Sequence, residues 1–125
     1  MSKEVIKSAN APAAIGPYSQ AIKVGNTIFC SGMIPVDPKT GNIPSTVTEQ
    51  ATQVMENVKA LLADNGATMA NIVKTTVFIK NMGDFAAINE VYAKYFTGDY
   101  PARSCVEVAR LPKDVLLEME SIVVV

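Results

Sequence analysis

The chain has 125 residues, 49% of them hydrophobic and 18% charged, which predicts a single folded domain over 1–125 and argues against disorder. Its 11 Lys and Arg against 12 Asp and Glu leave a net charge of −1, without the basic excess that a nucleic-acid binder usually shows. No apolar run reaches transmembrane length and no basic amphipathic stretch marks a membrane surface.

There is no histidine, which removes Ser-His and Cys-His dyads and histidine-based metal sites. Acid–base chemistry at neutral pH then falls to carboxylates, tyrosine, cysteine, lysine or bound water. The two cysteines, Cys30 and Cys105, lie far apart in the sequence and form no CxxC pair, as expected for free thiols in a reducing compartment; the alternative is a single disulfide between them. The N-terminal stretch lacks the apolar core of a secretory signal, so the expected location is the cytoplasm.

In chain order, a short strand is predicted near Glu4–Ser8, followed by a loop over Asn10–Pro17. A hairpin follows: Ser19–Val24, a Gly25-Asn26 turn of type II′, and Thr27–Met33. Pro35, Pro38, Gly41 and Pro44 mark a loop. Thr46 and Glu49 form a capping box for a helix with Val47, Ala51, Val54, Met55, Val58, Leu61 and Leu62 on one face, ending at Asn65-Gly66. Ile72–Lys80 reads as a strand. A second helix starts near Asp84, with Phe85, Ile88, Tyr92, Tyr95 and Phe96 on one side, and ends at Gly98. Strands over Ser104–Ala109 and Leu117–Val125 are expected to pair as a hairpin through Leu111-Pro112-Lys113-Asp114. About six strands and two helices make an α+β layer with helices on one sheet face. The last strand is apolar on both faces, which predicts a homo-oligomer.

Arg103 enters its strand behind Pro101, which stiffens the approach, and a guanidinium so held can clamp a carboxylate through two parallel hydrogen bonds. The alternative is a surface arginine in an ion pair. Glu118 and Glu120 share a strand face, where one carboxylate can orient water, or both can simply be solvated. If the last hairpin turns near Pro112-Lys113, Glu118 lies opposite Glu107, and Arg103 is about 13–16 Å away along the backbone. One site using both residues would then lie between subunits. Tyr18 sits at a rigid loop-to-strand junction in Gly16-Pro17-Tyr18-Ser19 and is either a pocket wall or packing. Ser31 and Gly32 close a strand, Asn89 lies inside the second helix, and Cys105 lacks a histidine to activate it.

The run Pro101-Ala102-Arg103-Ser104-Cys105-Val106-Glu107-Val108-Ala109-Arg110-Leu111-Pro112-Lys113-Asp114, continued by Leu117-Glu118-Met119-Glu120, resembles the signature of the RidA/YjgF family, the reactive intermediate deaminases. Four more segments carry the same resemblance: Ala14 to Ala21, Ser31 to Pro35, Glu56 to Ala60, and Thr76 to Ile79 followed by Asp84-Phe85 and Asn89 to Tyr92. The resemblance covers essentially the whole chain.

It implies a chorismate-mutase-like α+β fold and a homotrimer whose sheets close into a barrel-like core, with sites in the clefts between subunits. The implied activity is that of a 2-iminobutanoate/2-iminopropanoate deaminase, without metal or cofactor. Such enzymes hydrolyse the imines released by pyridoxal-phosphate-dependent dehydratases, which is the implied functional link. Residue by residue, Arg103 matches the carboxylate-binding arginine and Glu118 the carboxylate that holds the attacking water. The Cys105 carbonyl matches a group that helps place that water, and Tyr18, Ser31, Gly32 and Asn89 match pocket positions. Leu116 and the short Thr97–Tyr100 stretch differ from many relatives at the cleft rim. The alternatives are a small-carboxylate binding module or chaperone-like holdase without turnover, and a ribonuclease or inhibitor of translation. The acidic composition, the missing histidine and the lack of a basic stripe argue against the last.

Overall fold

Gly25 adopts φ 61° while Asn26 stays at negative φ, so the two-residue turn is type II′ as expected, with Val24 paired to Thr27. In the computed structural model, which describes residues 2–125, this turn joins β2 (Ala21–Val24) to β3 (Thr27–Met33). The remaining strands are β1 (Glu4–Ile6), β4 (Ile72–Ile79), β5 (Ala102–Glu107) and β6 (Leu117–Val124). The helices are α1 (Val47–Ala63) and α2 (Phe85–Ala93). The strands form one mixed sheet in the order β1-β2-β3-β6-β4-β5.

Helix α1 begins where its capping pair predicts. Thr46 is extended (φ −100°, ψ 155°), and its hydroxyl oxygen accepts from the Glu49 backbone N–H at 3.2 Å. The Thr46 hydroxyl donates to Glu49 Oε1 at 2.9 Å, a variant of the reciprocal capping box. Beyond the last turn, Gly66 takes φ 76° and the Ala67 N–H returns to the Leu62 carbonyl at 2.9 Å. Val54, Val58, Leu61 and Leu62 are fully buried, each contributing roughly 1.5–3 kcal/mol relative to exposure. Helix α2 stops at Ala93, earlier than the Gly98 boundary expected. Tyr95 and Phe96 continue as turns bonded three residues back, to the Tyr92 and Ala93 carbonyls.

The pairing of the last strands corrects the sequence expectation. β5 and β6 are not a hairpin: β4 lies between them, parallel to β5 and antiparallel to β6. The segment leaving β5 passes over the end of β4 and turns through Lys113 (φ 56°) and Asp114 (φ 54°), held by a bidentate Arg110–Asp114 pair at 2.7 and 3.1 Å. The register changes with the topology. Phe78 pairs with both Glu118 and Val106, and Thr75 pairs with both Arg103 and Ser121.

Strand alternation sorts every residue to one of two faces. Thr75, Val77, Ile79, Leu117, Met119, Ser121 and Val123 are buried beneath the two helices. The opposite face carries Phe29, Phe78, Val106, Ile122 and Val124, of which Phe29 and Val106 are 48% and 43% exposed. No helix among the described residues is long and apolar enough to cross a membrane.

Candidate active site

Arg103 lies on the helix-covered face of β5, in register with Thr75. Its Nη1 donates to Asn89 Oδ1 at 2.6 Å, and its Cζ lies 4.9 Å from the Tyr92 ring centroid and 5.3 Å from that of Phe85. Phe85, Asn89 and Tyr92 recur at helical spacing on α2, so one helix face supplies the whole cradle. Tyr92 is fixed in turn by a 2.8 Å hydroxyl bond to Thr75, buried on β4. Two aromatic faces and one amide oxygen hold the guanidinium before any ligand arrives, leaving its remaining N–H groups for a planar anion. Asn89 is a pocket residue expected from the sequence; Phe85 and Tyr92 join it in this cradle without having been expected there, and their helical spacing around Asn89 is the one sequence signal for it.

Cys105 follows on the same face, half-buried. Burial pushes its thiol pKa up, and the nearby Arg103 charge opposes that. β5 is an edge strand, and the Val108 N–H donates to the Ile79 carbonyl at 2.9 Å. In a parallel ladder, alternate residues bond to a given neighbour, so Ser104, Val106 and Val108 bond toward β4. The backbone N–H and C=O groups of Arg103 and Cys105 then point from the open edge.

Glu118 belongs to the other sheet face, in register with Phe78. Between the Cys30–Ser121 and Met33–Met119 pairs, β3 has one more residue than β6, so Ser31 and Gly32 form a bulge opposite Glu120. The bulge brings Gly32 under the Glu118 carboxyl: a Cβ added there would lie 2.8 Å from Glu118 Cδ. Only glycine leaves the carboxylate in that position. Burial, and secondarily the like charge of Glu120, raise the Glu118 pKa. The Ser31 hydroxyl donates to the Ser19 carbonyl at 2.6 Å, fastening the bulge to the Tyr18 loop. Tyr18, Ser31, Gly32 and Lys113 line one cavity of about 150 Å³.

The candidate residues therefore fall into two groups. Arg103, Asn89 and Cys105 stand at the β5 edge, and Glu118, Gly32, Ser31 and Tyr18 at the β3 bulge. Arg103 and Glu118 are three register positions and two strands apart, about 14 Å, and on opposite faces. The electrostatics agree: Arg103 acts on Tyr92 and Cys105, whereas the charge acting on Glu118 is that of Glu120. Among the described residues, no group of three or more His, Cys, Asp or Glu side chains is arranged to hold a metal ion.

A family model described as Endoribonuclease L-PSP matches residues 8–125. The 2-iminobutanoate/2-iminopropanoate deaminase of Escherichia coli K12 is 55% identical over 127 aligned positions, covering 99% of this chain and 98% of that one. The crystal structure of the E. coli YjgF gene product superposes with a TM-score of 0.93 at 53% identity, covering 97% of this chain and 98% of that one. The chain belongs to the RidA/YjgF family. Its mixed six-stranded sheet with two helices is the α+β fold of its RidA neighbours. E. coli TdcF, solved with bound serine, superposes with a TM-score of 0.94 at 51% identity over 98% of each chain.

Proposed function

We propose that this protein hydrolyses short 2-imino acids, such as 2-iminobutanoate and 2-iminopropanoate, to 2-oxo acids and ammonia, at sites shared between copies of the chain. Arg103 of one copy clamps the substrate carboxylate, and Glu118 of another faces the imine carbon. The observation that carries this reading is the division of the candidate residues into two half-sites on opposite sheet faces.

The protonated imine carbon is already electrophilic. Water held by Glu118 and the Cys105 carbonyl adds to it while Glu118 takes a proton, giving a carbinolamine. Glu118 returns that proton to nitrogen, and as the C–N bond breaks the hydroxyl gives its own proton to the carboxylate, so that the C=O bond forms and ammonia leaves. Holding water and imine in contact contributes up to about 7–11 kcal/mol in ideal cases. The raised pKa makes Glu118 a better proton acceptor than an exposed glutamate.

The apolar side chains of the open face, Phe29, Phe78, Val106, Ile122 and Val124, which lie among Lys74, Thr76, Glu118 and Glu120, support closure of several sheets on one another. The assembly we propose is a homotrimer with three inter-subunit clefts. A cytoplasmic role beside pyridoxal-phosphate-dependent dehydratases, the enzymes that release such imines, accords with the free thiols Cys30 and Cys105. RNA cleavage, which the family model's description names, has little support in a chain with net charge −1 and no histidine.

The deciding experiment couples a threonine dehydratase to purified protein and follows 2-oxobutanoate release, with Arg103→Ala in parallel. Acceleration by wild type and not by the variant is expected. A folded wild type that binds 2-oxobutanoate without accelerating release would leave only the small-carboxylate binding module.

A further inference from the structure

Helix α1 buries two amide side chains behind the cavity, Gln50 at 5% and Asn57 at 1% exposure. Asn57 Nδ2 donates to the carbonyls of Ile34 at 3.2 Å and Val36 at 2.9 Å, and its Oδ1 accepts from Gln53 Nε2 at 2.8 Å. Gln50 Nε2 donates to the Pro44 carbonyl, and its Oε1 accepts from the Leu116 N–H, both at 2.8 Å. Segment 34–44 belongs to no strand, yet Ile34, Val36, Asp37, Pro38 and Gly41 form one wall of the cavity. Its own backbone bonds, Val36 to Ile34, Asp37 to Asn42 and Gly41 to Asp37, curl it locally without tying it to the sheet. The two amides supply that tie. Asn57 holds the start of the wall, and Gln50 joins its end to the residue leading into β6, the strand that carries Glu118.

We infer that Gln50 and Asn57 are positioning residues that set the distance between this wall and Glu118, and so select the length of the substrate side chain. This rests on the imine-hydrolase reading, in which Arg103 takes the carboxylate, and adds to it that the cavity beside Gly32 takes the substrate side chain. A polar pair in a helix face otherwise suited to apolar packing is costly unless fully bonded. Here each bond goes to the wall, to Gln53 or to the entry of β6. In this arrangement a longer side chain would press on the wall, whereas the methyl or ethyl group of a three- or four-carbon acid would not.

The test is titration of the full-length protein with pyruvate and 2-oxohexanoate, unreactive stand-ins for short and long substrates. Gln50→Met keeps the length of the side chain and removes both bonds. Gln50→Glu keeps the acceptor for Leu116 and loses the donor to Pro44. We expect Gln50→Met to change the Kd ratio of the two acids by about fivefold to tenfold, with pyruvate affinity within about twofold of wild type. Gln50→Glu is expected to fall between. Asn57→Ala serves as the second variant if Gln50→Met does not fold. An unchanged ratio, with both acids weakened alike or neither affected, means that the amides only hold the fold together and overturns the inference. A wild type that binds both acids but hydrolyses no imine removes the activity and leaves the wall assignment intact. A wild type that binds neither removes both.

Discussion

Two inactive variants, Arg103→Ala and Glu118→Gln, are expected to restore activity when their subunits are mixed. Each variant alone lacks one half-site. Loss of the base costs about 10²–10⁴ in rate. Loss of the Arg103 fork removes two charge-assisted hydrogen bonds of about 1.5–3 kcal/mol each, again two to four orders of magnitude. Since the two residues lie on opposite faces, about 14 Å apart in register terms, the proposed site takes them from different copies. Co-refolding the variants in equal amounts gives each Arg103 position and its facing Glu118 position an even chance of being intact. About a quarter of the sites therefore recover both groups, whatever the number of copies in the ring. The readout is 2-oxobutanoate release from threonine dehydratase product, alongside native mass spectrometry to show that mixed oligomers formed. Mixed oligomers with no recovered activity would refute the shared site.

The remaining expectations each address one contact. Burial first and Glu120 second raise the Glu118 pKa above the ordinary 4.5, and the base must be ionised to act. The acid limb of kcat/KM should therefore lie above that value, and Glu120→Gln should move it to lower pH; a limb that stays put excludes Glu118 as the base. The same shift links to stability. A carboxyl with a raised folded-state pKa favours the fold below its unfolded value and loses that contribution as pH rises through the folded one. Glu118→Gln should then raise Tm at neutral pH, with the difference closing in acid; equal Tm at neutral pH counts against a desolvated carboxylate. Gly32→Ala puts a methyl group where the Glu118 carboxyl sits and should lower kcat by about 10–100-fold at unchanged secondary structure. A Gly32→Ala enzyme at wild-type rate means that the bulge does not place the base. Phe85→Leu removes one ring from Arg103 and should raise KM by roughly twofold to tenfold with little change in Tm.

How far the sequence determines this structure depends on how local the determining interaction is. The Gly25-Asn26 hairpin, the Thr46–Glu49 cap and the apolar face of α1 are set by residues within one turn of each other, and all three formed as read. The β5–β6 pairing failed because two strands joined by a proline-containing turn look like a hairpin whether or not a third strand lies between them. What excludes the hairpin is the pairing of β4 with both, a contact across some 30–50 residues of sequence with no local signature. One clue was present: segment 108–116 is longer than the two to five residues common in hairpin loops. The predicted separation of Arg103 and Glu118 nonetheless stands, by another route. The expected hairpin places the separation along one strand pair, whereas the structure places it across β4 and through the sheet. The bulge at Ser31-Gly32 was not legible, because a bulge is a mismatch between two strands and each strand alone reads as regular.

A division of the site explains features that are unfavourable in an isolated protomer. Glu118 is half-buried beside Glu120, with no cation among the causes of its shifted pKa. Arg103 is cradled by two rings and one amide, with no carboxylate among the described residues in an ion pair with it. Had the two been neighbours in one chain, they would have formed an ion pair, lowering the Glu118 pKa and occupying the fork meant for substrate. Separation by the sheet keeps the carboxylate basic and the guanidinium open. In the proposed reaction substrate would supply the negative group for Arg103 while its imine cation approaches Glu118, so that charge would balance only when the ligand bridges the proposed cleft. Such a site needs no histidine: the tuned base comes from burial on one strand face, and the electrophile arrives already activated. The requirement it creates is assembly, and for that reason the mixing of Arg103→Ala with Glu118→Gln tests more of the mechanism than either variant alone.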